Sequence, residues 1–219
     1  QSSTGGFTSF GLDPTRGQLL ELQIQIPTIE ERIHQGGTTG YVIIALGIVA
    51  ALLSLERFTT LTIMGSKVNA QTKSATPSDG NPLGRVLKVY AENKEVDPET
   101  LQLKLDEAIL KEQPAINARI AFIKIISMVA PLLGLLGTVT GMIVTFQAIT
   151  LFGTGDPKTM AGGISQALMT TVLGLCVAIP TVLLHSIVQS RSSTVLHILT
   201  EQSAGLIAEH AENAEKAGK

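Results

Sequence analysis

The sequence predicts an all-α membrane protein with three transmembrane helices, and its charge pattern is the main reason. Charged residues make up only 16% of the 219-residue chain, against roughly 25% in average soluble domains. Residues 125–155 and 161–189 contain no Asp, Glu, Lys or Arg at all. Each run exceeds the roughly 20 residues that an α-helix needs to cross a bilayer core. A third apolar run, 40–55, reaches a marginal span when Thr38 and Thr39 extend it.

Basic residues predict the orientation of these helices. Of the 16 Lys and Arg residues, all but Arg16, Arg32 and Lys158 lie between the first two spans, at their edges or after the third span. Because basic residues concentrate on the cytoplasmic side of membrane proteins, the N-terminus is predicted outside and the C-terminus inside. A net charge of −2 without a basic stripe argues against nucleic-acid binding.

The first segment, 1–38, is predicted to lie on the outer side and to end in a short helix. Turn-forming residues dominate its start, whereas Thr28 and Glu31 have the spacing of a capping box. A Gly-Gly pair ends this helix before the first transmembrane helix, 39–57, so we expect it to lie near the outer surface of the membrane. Because the chain begins at Gln1, without Met or a signal-peptide pattern, we also expect further sequence upstream.

The inner loop, 58–118, is predicted to be helical around a flexible centre. Asp97 followed by Pro98 is typical of a helix start, with a capping carboxylate before a proline at the first helical position. Pro114 is expected either to kink or to begin the helix of the second span. Apolar residues of the loop follow helical spacing: Leu101, Leu105, Ala108 and Ile109.

The second transmembrane helix, 119–152, is expected to have a cytoplasmic extension. A helix from Ile116 to the end of this span would be about 55 Å long, whereas the hydrocarbon core is about 30 Å thick. A short outer turn, 153–160, follows and lacks the spacing of a phosphate-binding loop. The third transmembrane helix, 161–188, continues into a helical cytoplasmic tail, 189–219.

Small and polar residues form a stripe along one face of the second span. Positions at alternating steps of three and four lie on the same side of a helix, and here they are Ser127, Pro131, Gly134, Thr138, Gly141, Thr145 and Ala148. The third span has a comparable line, with Gln166 and Thr171 beside it. This second line contains Gly163, Ala167, Thr170, Gly174, Val177, Thr181 and His185.

Two interpretations of these stripes remain open. Small residues let helix backbones approach closely, so Gly134, Gly137, Gly141 and Gly174 are predicted to pack helices together. Polar side chains in a membrane are unfavourable unless they find partners or water, which favours a narrow polar path. Its candidate lining residues are Thr138, Thr145, Gln166, Thr170 and Thr171. Neither span contains a carboxylate, so a proton relay along this path needs an ionisable group from a partner protein.

Two motifs, VAPLLGLLGTVTGMI (129–143) and GGISQALMTTVLGLCVAIPTVLL (162–184), resemble the paired second and third helices of the MotA/TolQ/ExbB proton-channel family. The resemblance runs over residues 116–184. It is closest to ExbB-like, TtpC-type subunits of TonB energising systems, whose longer outer segment is similar to the N-terminal stretch of this chain.

The resemblance implies a homopentamer in the lipid of the bacterial inner membrane, with a periplasmic N-terminus and a pore between the second and third helices. In that pore would stand the helices of an ExbD-like dimer, each with the aspartate that carries protons. A TonB-like protein would pass the motion to outer-membrane transporters. Thr138 and Thr171 match the family threonines that face the aspartate. No cofactor or metal is implied.

One position departs from the family pattern. Gln166 stands where ExbB and TolQ have a glutamate, and because glutamine does not titrate, we expect it to hydrogen-bond rather than transfer protons. Two alternatives remain, a TolQ-like subunit for envelope maintenance and a structural membrane scaffold, while the lack of a fourth span disfavours a MotA-type stator. No enzyme is predicted, since no catalytic constellation exists and the histidines are scattered: His34, His185, His197 and His210.

Overall fold

A computed structural model of the chain describes residues 28–74, 76–153 and 157–217. These residues form helices and no strand, which confirms the predicted all-α class. The helices are α1 (Ile29–Gln35), α2 (Gly37–Gln71), α3 (Pro82–Glu92), α4 (Pro98–Ile116), α5 (Ile120–Phe152) and α6 (Pro157–Ala217). The predictions for residues 1–27, for the centre of the outer turn and for the last two residues of the tail fall outside the described residues.

Three of these helices, α2, α5 and α6, are long and apolar enough to cross a membrane. The prediction of three spans is therefore confirmed, and the chain is a multi-pass membrane protein. Two of them are longer than the spans assigned to them, since α2 has 35 residues and α6 has 61, whereas α5, with 33 residues, matches the predicted 119–152 to within one residue. In particular α2 continues to Gln71, so the expected loop at 58–118 begins with an extension of the first transmembrane helix.

A band of charged residues marks one edge of the apolar layer. Glu56 on α2 pairs with Arg119 at 2.6 Å, and the guanidinium of Arg191 lies 5.8 Å from the ring centre of Phe58. The helix from Gly37 to Glu56 rises about 28 Å, close to the ~30 Å thickness of a hydrocarbon core. The apolar layer therefore ends at this band.

Beyond the band lies what we call the extramembrane bundle, made of α2 from residue 58, α3, α4 and α6 from residue 189. Its helices bury a continuous apolar core, whereas the apolar surface of the transmembrane part is largely exposed. The core also takes in Ile120 of α5 and Val188 of α6, at the end nearest the membrane. Its other residues are Leu61, Val68, Leu83, Val86, Leu101, Leu105, Ile116, Val195 and Leu199. The bundle thus holds together by burial of apolar side chains, as a soluble domain does.

Helix starts follow the local sequence signals. The backbone N–H of Thr28 donates to the Glu31 carboxylate at 2.8 Å, and the Glu31 N–H donates to the Thr28 hydroxyl at 3.3 Å. At the start of α4 the N–H of Thr100 donates to the Asp97 carboxylate at 2.9 Å. Both predicted caps are confirmed, and each satisfies backbone donors that a helix start leaves free.

The predicted continuous helix from Ile116 into the second span is wrong. Ile116 ends α4, Pro114 lies inside α4, and α5 begins only at Ile120. Arg57 explains the break, because its guanidinium donates to the carbonyl oxygens of Ala115 at 3.0 Å and Ile116 at 2.7 Å. It thereby caps the end of α4. Arg119, with φ of 62°, then redirects the chain into α5.

Candidate functional site

The contact between α5 and α6 is lined by glycines and brings the two backbones together. A Cβ added at Gly134 would lie 3.0 Å from the carbonyl oxygen of Thr170, and one at Gly174 would lie 2.8 Å from that of Ala130. A Cβ at Gly141 would lie 2.9 Å from the backbone nitrogen of Ala167. These distances leave no room for side chains, so the helices pack through backbone atoms as small-residue interfaces do in membranes.

We call the line of buried residues at the contact between α5 and α6 the seam. On α5 the seam follows the predicted stripe only in part. Pro131 and Thr138 are half-buried at its margin, and their preceding neighbours Ala130 and Gly137 take the central places. The smaller residue of each pair allows the closer approach, which decides the register. The buried residues of α5 along the seam are Ser127, Ala130, Gly134, Gly137, Gly141, Thr145 and Ala148.

The seam on α6 is also shifted at one position. Val177 faces α2, where a Cβ at Gly47 would meet its methyl group at 2.8 Å. The next residue, Ala178, is buried and takes the position in the seam that was predicted for Val177. His185, at the end of the predicted line, is only half-buried.

Thr145 and Thr170 are buried between the two helices. Thr145 is 3% exposed and Thr170 is 0% exposed. Their hydroxyls donate to carbonyl oxygens of their own helices, from Thr145 to Gly141 at 3.0 Å and from Thr170 to Ala167 at 2.9 Å. Within one chain, both hydroxyls are therefore satisfied locally and fill the helix contact.

Thr138 and Thr171 lie on one side of the helix pair. They directly follow Gly137 and Thr170, which contact each other across the seam. In an antiparallel pair of right-handed helices, a step of about 100° from both contacting positions leads to the same side. On α6, Leu173 and Val177 face α2, so the side that carries Thr138 and Thr171 is the one turned away from α2.

Gln166 is on the other side of α6. A Cβ at Gly37 would lie 2.7 Å from Nε2 of Gln166, so the amide packs against the turn between α1 and α2. Gly37 has φ of +57°, a conformation that glycine adopts without strain. Next to it, the Ser165 hydroxyl donates to the Gln35 amide oxygen at 3.0 Å. The structure therefore separates Gln166 from Thr138 and Thr171 and places it in a joint between α1, α2 and α6.

We call the side formed by Thr138 and Thr171 the threonine face, and it offers hydroxyl groups but no charge. Both residues are half-buried, and the Thr138 hydroxyl donates to the Leu135 carbonyl at 2.6 Å, which leaves its oxygen free to accept a hydrogen bond. Exposed apolar side chains surround the pair, among them Leu135, Leu168 and Leu175. Such a face is able to hydrogen-bond a partner group but not to titrate. Across the residues that the structure describes, no cluster of His, Cys, Asp or Glu is arranged to hold a metal ion.

Sequence reasoning missed three glycines that face α6, namely Gly36 at the N-cap of α2 and Gly40 and Gly47 within it. A Cβ at Gly36 or Gly40 would lie 2.9 or 3.1 Å from the Leu173 side chain, and Gly47 meets Val177 as described above. The signal was available, because these three glycines recur at steps of four and seven and thus share one face of a helix. They let α2 pack closely on α6, opposite the threonine face.

Comparison with known proteins identifies the family to which the chain is similar. Residues 78–201 match the MotA/TolQ/ExbB proton channel family. Over 180 residues the chain is 30% identical to an ExbB homologue of Methanothermobacter thermautotrophicus named as a biopolymer transport protein, a match that covers 75% of this chain and 64% of that protein. An ExbB-like protein of Synechocystis sp. is 29% identical over 187 residues, or 77% of this chain and 74% of that protein.

A Tol-Pal relative matches over a shorter stretch. TolQ of Pseudomonas aeruginosa is 32% identical over 89 residues, which covers 41% of this chain and 38% of TolQ. The family match itself extends over more than half of the 219 residues and includes α5, most of α6 and the glycine-lined seam between them. The chain therefore belongs to the MotA/TolQ/ExbB proton channel family.

Proposed function

We propose that this chain is the ExbB-like subunit of a proton-driven motor that energises TonB-dependent transport across the outer membrane. Five copies surround a pore in the bacterial inner membrane, and an ExbD-like dimer within it supplies the intramembrane aspartates. Family membership supports the proton channel, and the names of the ExbB relatives support this branch of the family. The proposed motor uses the proton motive force to move its partner, and a TonB-like protein transmits the movement.

The observation that carries the proposal is the threonine face. It holds two hydroxyls, is turned away from α2, and belongs to helices whose apolar runs contain no acid. Threonine hydroxyls both donate and accept hydrogen bonds, so they suit a carboxylate that alternates between protonated and ionised forms. In this proposal Thr138 and Thr171 face the partner's aspartate.

The other candidate residues take supporting roles in the proposed pore. Thr145 and Thr170 fill the α5–α6 contact, with the glycines Gly134, Gly137, Gly141 and Gly174 opposite or beside them. Gln166 holds the joint between α1, α2 and α6 rather than lining the path. The proposed pore is therefore lined by fewer polar residues than the stripes alone suggest. Its hydroxyl groups are those of Thr138 and Thr171.

The proposed orientation follows from the positive residues. The extramembrane bundle carries most of the basic residues, and basic residues favour the cytoplasmic side. We therefore place the bundle and the C-terminus in the cytoplasm, and α1 with the chain before it in the periplasm. Cysteine labelling with a reagent that does not cross membranes tests this orientation. A cysteine introduced at exposed Glu30 should react in intact spheroplasts, whereas one introduced at exposed Glu99 should react only after lysis.

A second candidate is a TolQ-like subunit for envelope maintenance, which the match to TolQ of Pseudomonas aeruginosa favours. Complementation separates the two functions. Expression of this chain with its partner in a bacterial strain that lacks ExbB should restore TonB-dependent uptake, whereas rescue of detergent resistance in a strain that lacks TolQ alone would favour the second candidate.

The assembly is tested by the mass of the purified complex. We expect that co-expression with a single-span protein that carries one intramembrane Asp yields five copies of this chain and two of the partner in native mass spectrometry. A complex of this chain that never contains the partner would favour a structural scaffold. A monomer would contradict the proposal.

A further inference from the structure

Two basic side chains, Lys124 on α5 and His185 on α6, lie at the same depth in the helix pair. A Cβ at Gly174 would lie 3.2 Å from the Cα atom of Gly134, so these two glycines are level with each other. Lys124 is ten residues from Gly134 and His185 is eleven from Gly174, both toward the extramembrane bundle. The corresponding rises are about 15 and 16.5 Å, so the two basic residues are level to within about 1.5 Å.

This depth is the edge of the apolar layer. A Cβ at Gly65 of α2 would lie 3.8 Å from the side chain of Val195. Nine residues earlier on both helices, which run in the same direction, Glu56 is level with residue 186 of α6. Glu56 belongs to the band of charged residues that ends the apolar layer, so His185 lies at that edge. Ionisable side chains at this depth pair with one another or with a partner group.

Both basic residues are on the threonine face. Lys124 is fourteen residues before Thr138, and the same number separates Thr171 from His185. Fourteen residues make about 3.9 turns, so each basic residue returns to within about 40° of its threonine, about 21 Å nearer to the bundle. The exposure of the side chains agrees with this placement, since Lys124 is exposed directly after buried Ile123, and His185 is half-buried.

The chain's own described residues do not neutralise this pair. Within those ranges neither Lys124 nor His185 takes part in an ion pair or a side-chain hydrogen bond. The helix α5 contains no Asp or Glu, and α6 contains none before Glu201. At the depth of the pair, Glu56 bonds to Arg119 on the α2 side, opposite the threonine face. An acidic group that meets the pair therefore comes from another molecule.

Between the threonines and the basic pair the threonine face is apolar. Four exposed apolar side chains cover this stretch: Met128, Leu135, Leu175 and Val182. A helix that lies along the face is thus in apolar contact below the threonines and meets two basic groups where the apolar layer ends. Charge complementarity at such a contact favours an acidic side chain at this point of the occupant.

We propose that Lys124 and His185 bind an acidic side chain of the partner helix whose intramembrane aspartate faces Thr138 and Thr171. The ammonium group of Lys124 pairs with the carboxylate, and an imidazole N–H donates a hydrogen bond to it. The offset of about 21 Å puts this acid about 14 residues from the aspartate if the partner is helical there, and about 6 if it is extended. This inference rests on the proposed function and adds a second contact with the partner.

Carbodiimide coupling tests the contact in membranes that contain this chain and its partner, because it joins an amine to a carboxylate in direct contact without a spacer. We expect an adduct of one chain with one partner. Mass spectrometry of its digest should link Lys124 to an Asp or Glu about 6–14 residues from the intramembrane aspartate. Lys124→Arg has no amine to couple, so this adduct should disappear. Lys67→Arg, which changes another exposed lysine, should leave it in place.

Other coupling results would contradict the contact. No adduct through Lys124, a link to an acid outside the expected window, or a link to a second copy of this chain would overturn the inference. Native mass spectrometry of the same preparation then separates the two proposals. Five copies with two partners would keep the proposed function while the contact fails, whereas a complex without the partner would overturn both.

Charge exchange gives an independent readout. Lys124→Glu should reduce uptake at least about tenfold, because like charges that face each other across an interface are strongly unfavourable. Replacement of the partner's acid by Lys should restore most of that uptake. His185→Gln keeps an N–H donor and should retain more uptake than His185→Leu. Failure of the partner change to restore uptake would overturn the contact. Unchanged uptake in Lys124→Glu with a loss of bound anionic lipid would also overturn it, since it assigns the pair to lipid phosphate.

Discussion

Thr170 of α6 fills the space above Gly137 of α5, and a Cβ at position 137 would overlap its side chain. This pair fixes the rotation of both transmembrane helices about their axes. Because Gly137 and Thr170 face each other, Thr138 and Thr171 are brought to the side away from α2. The packing residue and the candidate functional residue are thus neighbours in sequence on each helix.

The Gly137–Thr170 contact predicts that the protein loses stability when Gly137 is replaced by a larger residue. Gly137→Ala should destabilise the protein by about 1–3 kcal/mol, the range for overpacking in a tight core. Gly162→Ala is the control, because a Cβ there meets nothing within 4 Å. Thermal unfolding of the detergent-solubilised protein measures both. The combination of Gly137→Ala with Thr170→Gly should regain part of the loss, and an unchanged melting temperature for Gly137→Ala would show that the seam is looser than described.

The threonine face predicts which hydroxyls matter for energised transport. Thr138→Val and Thr171→Val should each leave the complex assembled and reduce uptake at least about tenfold, equal to about 1.4 kcal/mol in an energy barrier. Thr140→Val is a matched control, since its hydroxyl donates to the Gly137 carbonyl at 3.0 Å as that of Thr138 does to Leu135, but it points to the opposite side of α5. Normal uptake in both test variants would contradict the pore assignment.

The position of Gln166 predicts a different phenotype. Gln166→Ala should retain more uptake than either threonine variant, because its amide packs against Gly37 rather than lying on the threonine face. The change should instead loosen the joint of α1 and α2, which limited proteolysis near residue 36 would detect. Loss of all uptake with an intact complex and an unchanged cleavage pattern would place the amide in the ion path.

Arg57 predicts the stability of the junction between α4 and α5. Arg57 is 7% exposed and donates to two carbonyls at the end of α4. Arg57→Met should cost about 3–6 kcal/mol, because it removes two hydrogen bonds from a charged group and such bonds contribute about 1.5–3 kcal/mol each. The control is Arg191→Met, which removes an exposed cation–π contact worth about 0.5–1 kcal/mol. Equal melting temperatures for the two variants would argue against a capping role for Arg57.

The cap of α4 predicts part of the response to acid. The backbone N–H of Thr100 donates to the Asp97 carboxylate and lowers its pKa below the usual value. A lowered folded-state pKa contributes stability that is present above the unfolded value, roughly 3.9 for Asp, and is lost as the pH falls through the folded value. Asp97→Asn keeps an uncharged cap, so its melting temperature should fall less than that of the wild type between about pH 6 and pH 3. Parallel curves would show that the cap does not titrate.

The sequence by itself determined the class, the number of spans and the helix starts. Whether a segment enters the membrane depends on the hydrophobicity of its own residues. A cap such as that of Thr28 and Glu31 depends on two residues three positions apart. Both are local properties, so no tertiary contact was needed to predict them. The small residues of the second and third spans were visible for the same reason.

The tertiary structure alone decided which of those residues face each other. The seam runs through Gly137 rather than Thr138, because the smaller residue permits the closer helix approach. Gln166 turns toward Gly37, 129 positions away in the sequence, and Arg57 ends a helix at Ile116. Such contacts depend on how helices distant in sequence rotate and pack, and periodicity within one helix does not contain that information.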